Sequence, residues 1–519
     1  MIKAIVEKDQ YFDSVFLMLI NSNIKELDGV TNAVVSMGTE MNIELLQDMG
    51  YANDEVSQST ANDLLVVIES ETQSSIDKAV SAVYDLLNKK KKKSSGKTYQ
   101  PKSLQSAFKD EPDANMVIIS LPGEFAAREA KAALNNGLNV MMFSDNVSVE
   151  REVELKELAW EKGLLMMGPD CGTAIINGHP LCFANLVSSG DIGVVAASGT
   201  GLQEVTSCID TFGGGITQGI GTGGRDLKDP RIGGKMMLMG IEALKHDPAT
   251  KVIVVISKPP ARDVADTVLS ALEKTGKPSV VHFIGQAPAE NRNNLYFAEN
   301  LEETAKIAVA LSKGETYTST VFTMSDSELK AIIERESENI SSDQKYLRGL
   351  YTGGTVADEA IILLERVTGP VYSNNQKKKE LQLPDPFQSI GHTIVDLGDD
   401  IYTVGRPHPM IDPSTREERI TIEADDKEMA VMLIDIVLGY GSHHDPAGAI
   451  IKSLKEARAK AEARGGYLPV IASVIGTKKD FQGYDATVAA LESAGCVVMP
   501  SNYQASMLAV EIIKKGGTL

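Results

Sequence analysis

At 519 residues, with 43% hydrophobic and 24% charged residues, the chain is too long for a single core and too apolar to be disordered, so several compact domains are expected. A formal charge of −20 excludes a broad nucleic-acid or anionic-membrane surface, which needs clustered Lys and Arg, and leaves small molecules and other proteins as partners. Cys171, Cys182, Cys208 and Cys496 form no CxxC pair, and no signal peptide or ~20-residue apolar span is evident; the expected address is the cytoplasm.

In chain order, residues 1–88 alternate strand-like and helix-like hydrophobic periods, from "MIKAIVE" to "QSSIDKAVSAVYDLLN", and predict a small α+β sandwich. Residues 89–105, opening with Lys89 to Lys93 and continuing "SSGKTYQPKS", read as an exposed Lys-rich linker; contact with an anionic partner is the alternative. Residues 106–187 ("ANMVIISLPG", "LNVMMFSD", "LLMMGPDCG") have the near-continuous apolar strands of a buried parallel sheet, a Rossmann-like domain. The alternation restarts over 188–320 ("IGVVAASGTG" to "PSVVHFIG") as a flavodoxin-like α/β domain. A polar helical bridge over 321–345 leads to a second such domain over 346–519, whose pattern weakens in an insertion at about 370–418. The fold class is therefore α/β, with two related units in tandem.

In open parallel sheets ligands gather beyond the carboxyl ends of the strands, so the Gly-rich strand-to-helix turns are the candidate sites. "ASGTGLQEV" places Ser198, Gly199, Thr200 and Gly201 at a helix start, where free N–H groups and the positive dipole end suit a phosphate or carboxylate. A simple Ser or Thr helix cap is the alternative. "GIGTGGRD" adds Gly223, Gly224 and Arg225, "LYTGGTVADEA" adds Gly353 and Gly354, and "GYGSHHDPAG" adds Gly441, Ser442, His443 and His444. None fits the Walker A spacing. Neither HExxH nor a Cys/His cluster with finger spacing occurs, so no metal site is expected, although His392, His408, His443 and His444 could converge through folding. His443 or His444 beside an anion is a candidate proton donor, against the alternative of a loop or capping residue. Cys171 in "GPDCGT" is expected to be a buried thiol, with no neighbouring His or Lys to activate it. "GRPHPMIDPSTREERI", holding Arg406, His408, Asp412, Arg416 and Arg419, reads as a lid, a partner contact or an exposed charged loop.

"MMGPDCGTAI", "GVVAASGTGLQE", "GIGTGGRDL" and "LKHDPATKVIVV" resemble the α-subunit blocks of the succinyl-CoA synthetase superfamily, in the same order; "LRGLYTGGTVADEAI", "TIVDLGDD" and "IDIVLGYGSHHDPAG" are similar, more distantly, to the β-subunit's carboxyl-terminal domain. Over nearly the whole chain the sequence resembles the FdrA family. The resemblance implies a Rossmann-like domain of CoA-binding type and two facing helix termini, Ser198–Gly199–Thr200 and Gly441–Ser442–His443, around a phosphate. The chain departs from the superfamily in three ways. No "GHAGA"-type phosphohistidine loop occurs, His282 falling inside a strand; the ATP-grasp domain is missing; and so is the Gly-rich CoA loop.

The FdrA resemblance implies a subunit of an oxamate carbamoyltransferase of allantoin and purine breakdown, moving a carbamoyl group between oxalurate and phosphate to give oxamate and carbamoyl phosphate. Arg225 and Arg406 would then hold the oxamate carboxylate, His443 or His444 would move a proton, and partner subunits would complete the enzyme, with self-association a further expectation. No cofactor is required for that transfer. The alternatives are an ADP-forming, succinate-CoA ligase-like subunit that takes CoA and nucleotide with an ATP-grasp partner, and a metabolite-sensing regulator using the amino-terminal sandwich.

Overall fold

The computed structural model describes residues 1–516 apart from positions 9, 11, 13, 26, 94–100, 102 and 404–405. It divides into two units, Met1–Ser103 with Thr403–Pro407, and Leu104–Tyr402 with His408–Leu519.

The first unit is built on a three-stranded antiparallel sheet with Leu64–Ser70 between Ile2–Glu7 and Val30–Met37. Its central strand has no solvent face. Leu64, Val66 and Ile68 pack with Leu17, Ile20 and Ile76 on one side, and Leu65 and Val67 with Leu46 and Val56 on the other, so helices cover both faces. That central position explains the unbroken apolar run in "LLVVI", where a half-exposed strand would alternate. Lys89–Lys93, expected as linker, instead form the last turns of the helix Gln73–Lys93, since lysine is a good helix former and favours the negative end of the helix dipole. The rest of the expected linker lies largely outside the described residues.

The second unit carries three sheets. Met116–Ile119, Asn139–Met142 and Met166–Met167 pair in parallel, the Rossmann-like part. The largest sheet places Ser189–Ala197 between Ile216–Gly221 and Val252–Ser257, followed outward by Ser279–Phe283 and Leu295–Phe297, all parallel. That is the doubly wound order 2-1-3-4-5, and the second large sheet keeps it with one added edge strand: Tyr346–Tyr351 lies between His392–Asp396 and Met429–Val437, with Val470–Ile475 and Val497–Met499 beyond and the short strand Val371–Tyr372 outside His392–Asp396. The mixed α/β architecture with tandem flavodoxin-like sheets follows.

Two boundaries differ from the expected ones. The hairpin Thr173–Ile176 and His179–Cys182 joins the largest sheet through Ile175 opposite Gly219, although it was assigned to the preceding domain. Its turn, Asn177–Gly178, has φ of 51° and 79°, the two-residue hairpin geometry for which Asn-Gly is favoured. Gln218 fixes it to the sheet, accepting from the Asn177 amide at 2.8 Å and donating to Asn177 Oδ1 at 2.7 Å. The supposed insertion at 370–418 contains a core strand, His392–Asp396, and its carboxyl-terminal part is no exposed lid. Arg416 and Arg419 on the helix Ser414–Glu423 are buried; Arg416 pairs at 2.5 Å with Asp435 of the strand Met429–Val437 and so tethers the helix to the sheet, while Arg419 pairs at 2.8 Å with Glu423 of its own helix.

Candidate functional site

The helix Gly199–Thr211 leaves the strand Ser189–Ala197 through Ser198, whose hydroxyl caps it by accepting from the Gly201 amide at 3.1 Å. In the second domain the equivalent helix, Gly354–Thr368, starts beside it. Ser198 Oγ lies 2.7 Å from Thr355 Oγ1, and the Thr355 amide donates to Thr200 Oγ1 at 3.3 Å. A Cβ on Gly353 would come within 2.9 Å of the Thr200 methyl group, so the two termini meet in van der Waals contact.

The partner expected for Ser198 was the Gly441 turn, and these contacts go elsewhere. Gly441, at φ 80°, is pressed against Phe183 and the Cys182 carbonyl. The Ser442 hydroxyl is buried and has no partner among the described residues. The His443 amide donates to the Met410 carbonyl at 2.7 Å, and its Nδ1 accepts from the Asp445 amide at 3.1 Å, which places the ring proton on Nε2. Burial lowers the His443 pKa, and the His444 ring packs 4.3 Å from it between centroids. The helix they precede is capped by Asp445.

The amides of the second-domain terminus are already used, since Thr352 and Gly353 both donate to the buried Asp435 at 2.9 Å. Those of Gly199 and Thr200 meet no acceptor among the described residues, and neither do those of Gly223 and Gly224. The two turns emerge side by side, because Ala196 and Gly221 are paired on adjacent parallel strands. Unpaired amides converging at strand ends form a ready oxyanion site.

Around them stands a charge cluster that sequence reasoning did not single out. Lys258, directly after the strand Val252–Ser257, pairs across the domains with Asp358 in the Gly354–Thr368 helix at 3.0 Å. Burial disfavours its charge, yet Asp358 and Asp396 hold its pKa above the ordinary value. Asp396, at the end of its strand, is pushed up to about 7 by burial, opposed by Lys258. Asp170, in the loop before the hairpin, is exposed at the edge of the cluster; partial desolvation raises its pKa, again opposed by Lys258. Lysine at the end of an apolar strand is a signal that strand-end logic could have found; carboxylates from three separate segments are brought together only by folding.

Other expected residues fall outside this cluster. Arg225 donates to the Val147 carbonyl at 2.7 Å and pairs with buried Glu152 at 2.9 Å, so its guanidinium is held against the Rossmann-like part. Arg406 is exposed and belongs to the segment grouped with the first unit. Cys171 is buried with its thiol pushed up to about 12 by burial. His282 is buried in its strand, with Nδ1 3.0 Å from the Ala298 carbonyl and a pKa pushed down to about 4 by burial. His408 is held down to about 4 by burial, while His392 accepts from the Leu347 amide at 3.2 Å. Among the described residues no group of three or more His, Cys, Asp or Glu is arranged to hold a metal ion, and no helix is long and apolar enough to cross a membrane.

Family models match two parts of the chain: a CoA-ligase model over residues 350–512, and a model described as AllF, heavy metal-associated domain, over 1–103. The latter stretch contains neither Cys nor His, the usual ligands of soft metals. Subunit alpha 2 of the ADP-forming succinate–CoA ligase of Archaeoglobus fulgidus is 25% identical over 179 residues, 34% of this chain and 60% of that one. Among solved structures, the dinucleotide-forming acetyl-coenzyme A synthetase 1 of Ca. Korarchaeum cryptofilum, in complex with phosphate and ADP, aligns over 78% of this chain and 82% of its own at a TM-score of 0.29 and 16% identity. The Escherichia coli K12 protein YahF, itself uncharacterized, is 45% identical over 517 residues, 99% of both chains. The chain belongs to one family with YahF and carries a succinyl-CoA synthetase-like CoA-ligase domain.

Proposed function

We propose that the chain is a subunit of an acyl-CoA synthetase of the succinate–CoA ligase type, handling an acyl phosphate and obtaining it from an ATP-grasp partner. The observation that carries this reading is the pair of adjacent turns whose Gly199, Thr200, Gly223 and Gly224 amides meet no acceptor among the described residues, in a chain with a CoA-ligase domain. Such amides would take the phosphate oxygens and the charge that develops as the acyl carbon is attacked. The Ser198 to Thr355 contact joins the domains beside the site and fixes its geometry, so substrate orientation would come from a preformed scaffold. The relative from A. fulgidus supports the ligase chemistry, and its character as an alpha subunit supports the need for a partner.

A second reading, the oxamate carbamoyltransferase subunit implied by the FdrA resemblance, uses the same amides, because carbamoyl phosphate is also an acyl phosphate. The position of His282, buried within a strand and bonded at Nδ1, favours a transfer that does not pass through a phosphohistidine there. Under that reading Arg225 remains a proposed oxamate contact and His443 or His444 the proposed proton carriers.

The two separate in one experiment. The chain, reconstituted with its ATP-grasp partner, is given ATP, CoA and a panel of small carboxylic acids, and in parallel oxalurate and phosphate. Thioester formation is the expected result; carbamoyl phosphate without thioester would replace the first reading by the second.

A further inference from the structure

We propose that a cavity of about 610 Å³ between the two flavodoxin-like domains binds an organic phosphate, an apolar ring-sized body that carries a phosphate dianion. None of residues 198–201 or 223–225 lines it, so the inference depends on neither reading above.

The carboxyl ends of strands from both sheets open onto this cavity. Pro259 follows the strand Val252–Ser257, Gly285 follows Ser279–Phe283, and Asn375 follows Val371–Tyr372. Ile361 and Ile362 of the helix Gly354–Thr368, with Pro259 and Leu381, give it an apolar wall. Gly285 keeps the space open, since a Cβ there would come within 3.3 Å of Ile362 Cδ1. The volume falls within the roughly 300–1,000 Å³ of small-molecule sites.

The charges that line the cavity do not cancel. Both carboxylates are paired, Asp358 with Lys258 at 3.0 Å and Glu365 with Lys378 at 2.9 Å. Arg366 and Lys377 remain, two solvent-exposed cations with no ion-pair partner among the described residues. In a chain of formal charge −20, two unpaired cations beside an apolar wall are complementary to a dianion with an apolar body.

Lys377 sits on a pinned loop, within the segment expected as an insertion. Buried Gln376 donates to the Val371 carbonyl at 3.0 Å and to Glu365 at 3.1 Å, and its side-chain oxygen accepts from the Lys377 amide at 3.0 Å. Gln382 donates to the Gln376 carbonyl at 2.9 Å. The loop is therefore set before a ligand arrives, which limits the ordering cost of binding. Partial desolvation lowers the Lys377 pKa, Asp358 opposes, and the charges of Lys258 and Lys228 add to the lowering. Lysines from three segments thus act on one place, and an anion there relieves their mutual repulsion.

The test uses pyridoxal 5′-phosphate, which has this chemistry and an aldehyde that condenses with a lysine amine, losing water, to an imine that borohydride fixes. Peptide mapping of the full-length chain should show Lys377 labelled about ten-fold faster than by pyridoxal, which lacks the phosphate. Exposed Lys274, outside the cavity, should show no such preference. Adenosine 5′-monophosphate should protect Lys377, and inorganic phosphate at equal concentration should not. Arg366→Gln, at an exposed position without a partner, should fold and reduce the preference for the phosphorylated aldehyde to less than about three-fold. Equal labelling of Lys377 by the two aldehydes would overturn the proposal, leaving Lys377 a nucleophilic lysine and no more. Protection by inorganic phosphate as strong as by the nucleotide would overturn the organic ligand. An unchanged preference in Arg366→Gln would overturn the two-cation site.

Discussion

Replacing Ser198 with alanine removes one atom that serves two domains. Its hydroxyl caps the Gly199–Thr211 helix at 3.1 Å and meets the Thr355 hydroxyl at 2.7 Å, both in a buried setting. Loss of the cap should cost about 1 kcal/mol, and the Thr355 hydroxyl left without its partner about 1–3 kcal/mol more. Thr355→Val alone removes only the second contact, since Ser198 still caps its helix. In the double variant no hydroxyl is stranded, so its total cost should fall short of the sum by about 1–2 kcal/mol. Because a chain of several domains need not unfold in one step, the assay is hydrogen exchange of peptides covering residues 198–211 and 354–368, which reports local opening directly. Additivity of the two substitutions within about 0.3 kcal/mol would refute the direct coupling of the two termini.

Four further outcomes are expected. Gly199→Ala should fold, as its Cβ would meet only Thr173 Oγ1 at 3.4 Å, yet weaken sulfate binding by at least about ten-fold by covering the amide; unchanged affinity measured by calorimetry would remove Gly199 from the site. Glu204 and Glu359, buried carboxylates that accept from the Asn502 and Leu301 amides across the domains, are raised by burial to about 8 and about 7. With folded values above unfolded ones, their contribution to stability is full below about pH 4.5 and is lost as pH rises through 7 to 8, so Glu204→Gln and Glu359→Gln should flatten the decline of the melting temperature over that window. Lys258→Met should remove the cation that opposes proton binding at Asp396 and raise that pKa above about 7, visible in the carboxyl carbon resonance of Asp396 on titration. Cys171 and Cys208 should resist iodoacetamide in the native chain at pH 8, as peptide mass mapping would show, because both are buried and desolvation raises their thiol pKa values.

Much of the fold was legible locally. Near-continuous apolar runs such as "KVIVVIS" and "AVMLIDIV" specify strands buried on both faces, and "SGTG" and "TGGT" mark the turns into helices; these patterns depend only on side-chain period and backbone freedom, so a reader of the chain can place them. The repetition of that program also announced the duplicated domain. What the chain order could not give is which turns meet. Ser198 finds Thr355, and Gly441 finds Phe183, because the domains dock through their helices and through the buried Glu204, Glu359 and Asn502 network, contacts between residues far apart in sequence. Arg225 looked like a free anion clamp until folding brought buried Glu152 against it. Sequence alone determines the elements, since periodicity and turn chemistry are local; the charge state and company of each site residue are decided by tertiary structure, since desolvation and Coulomb interactions depend on neighbours that only the fold supplies.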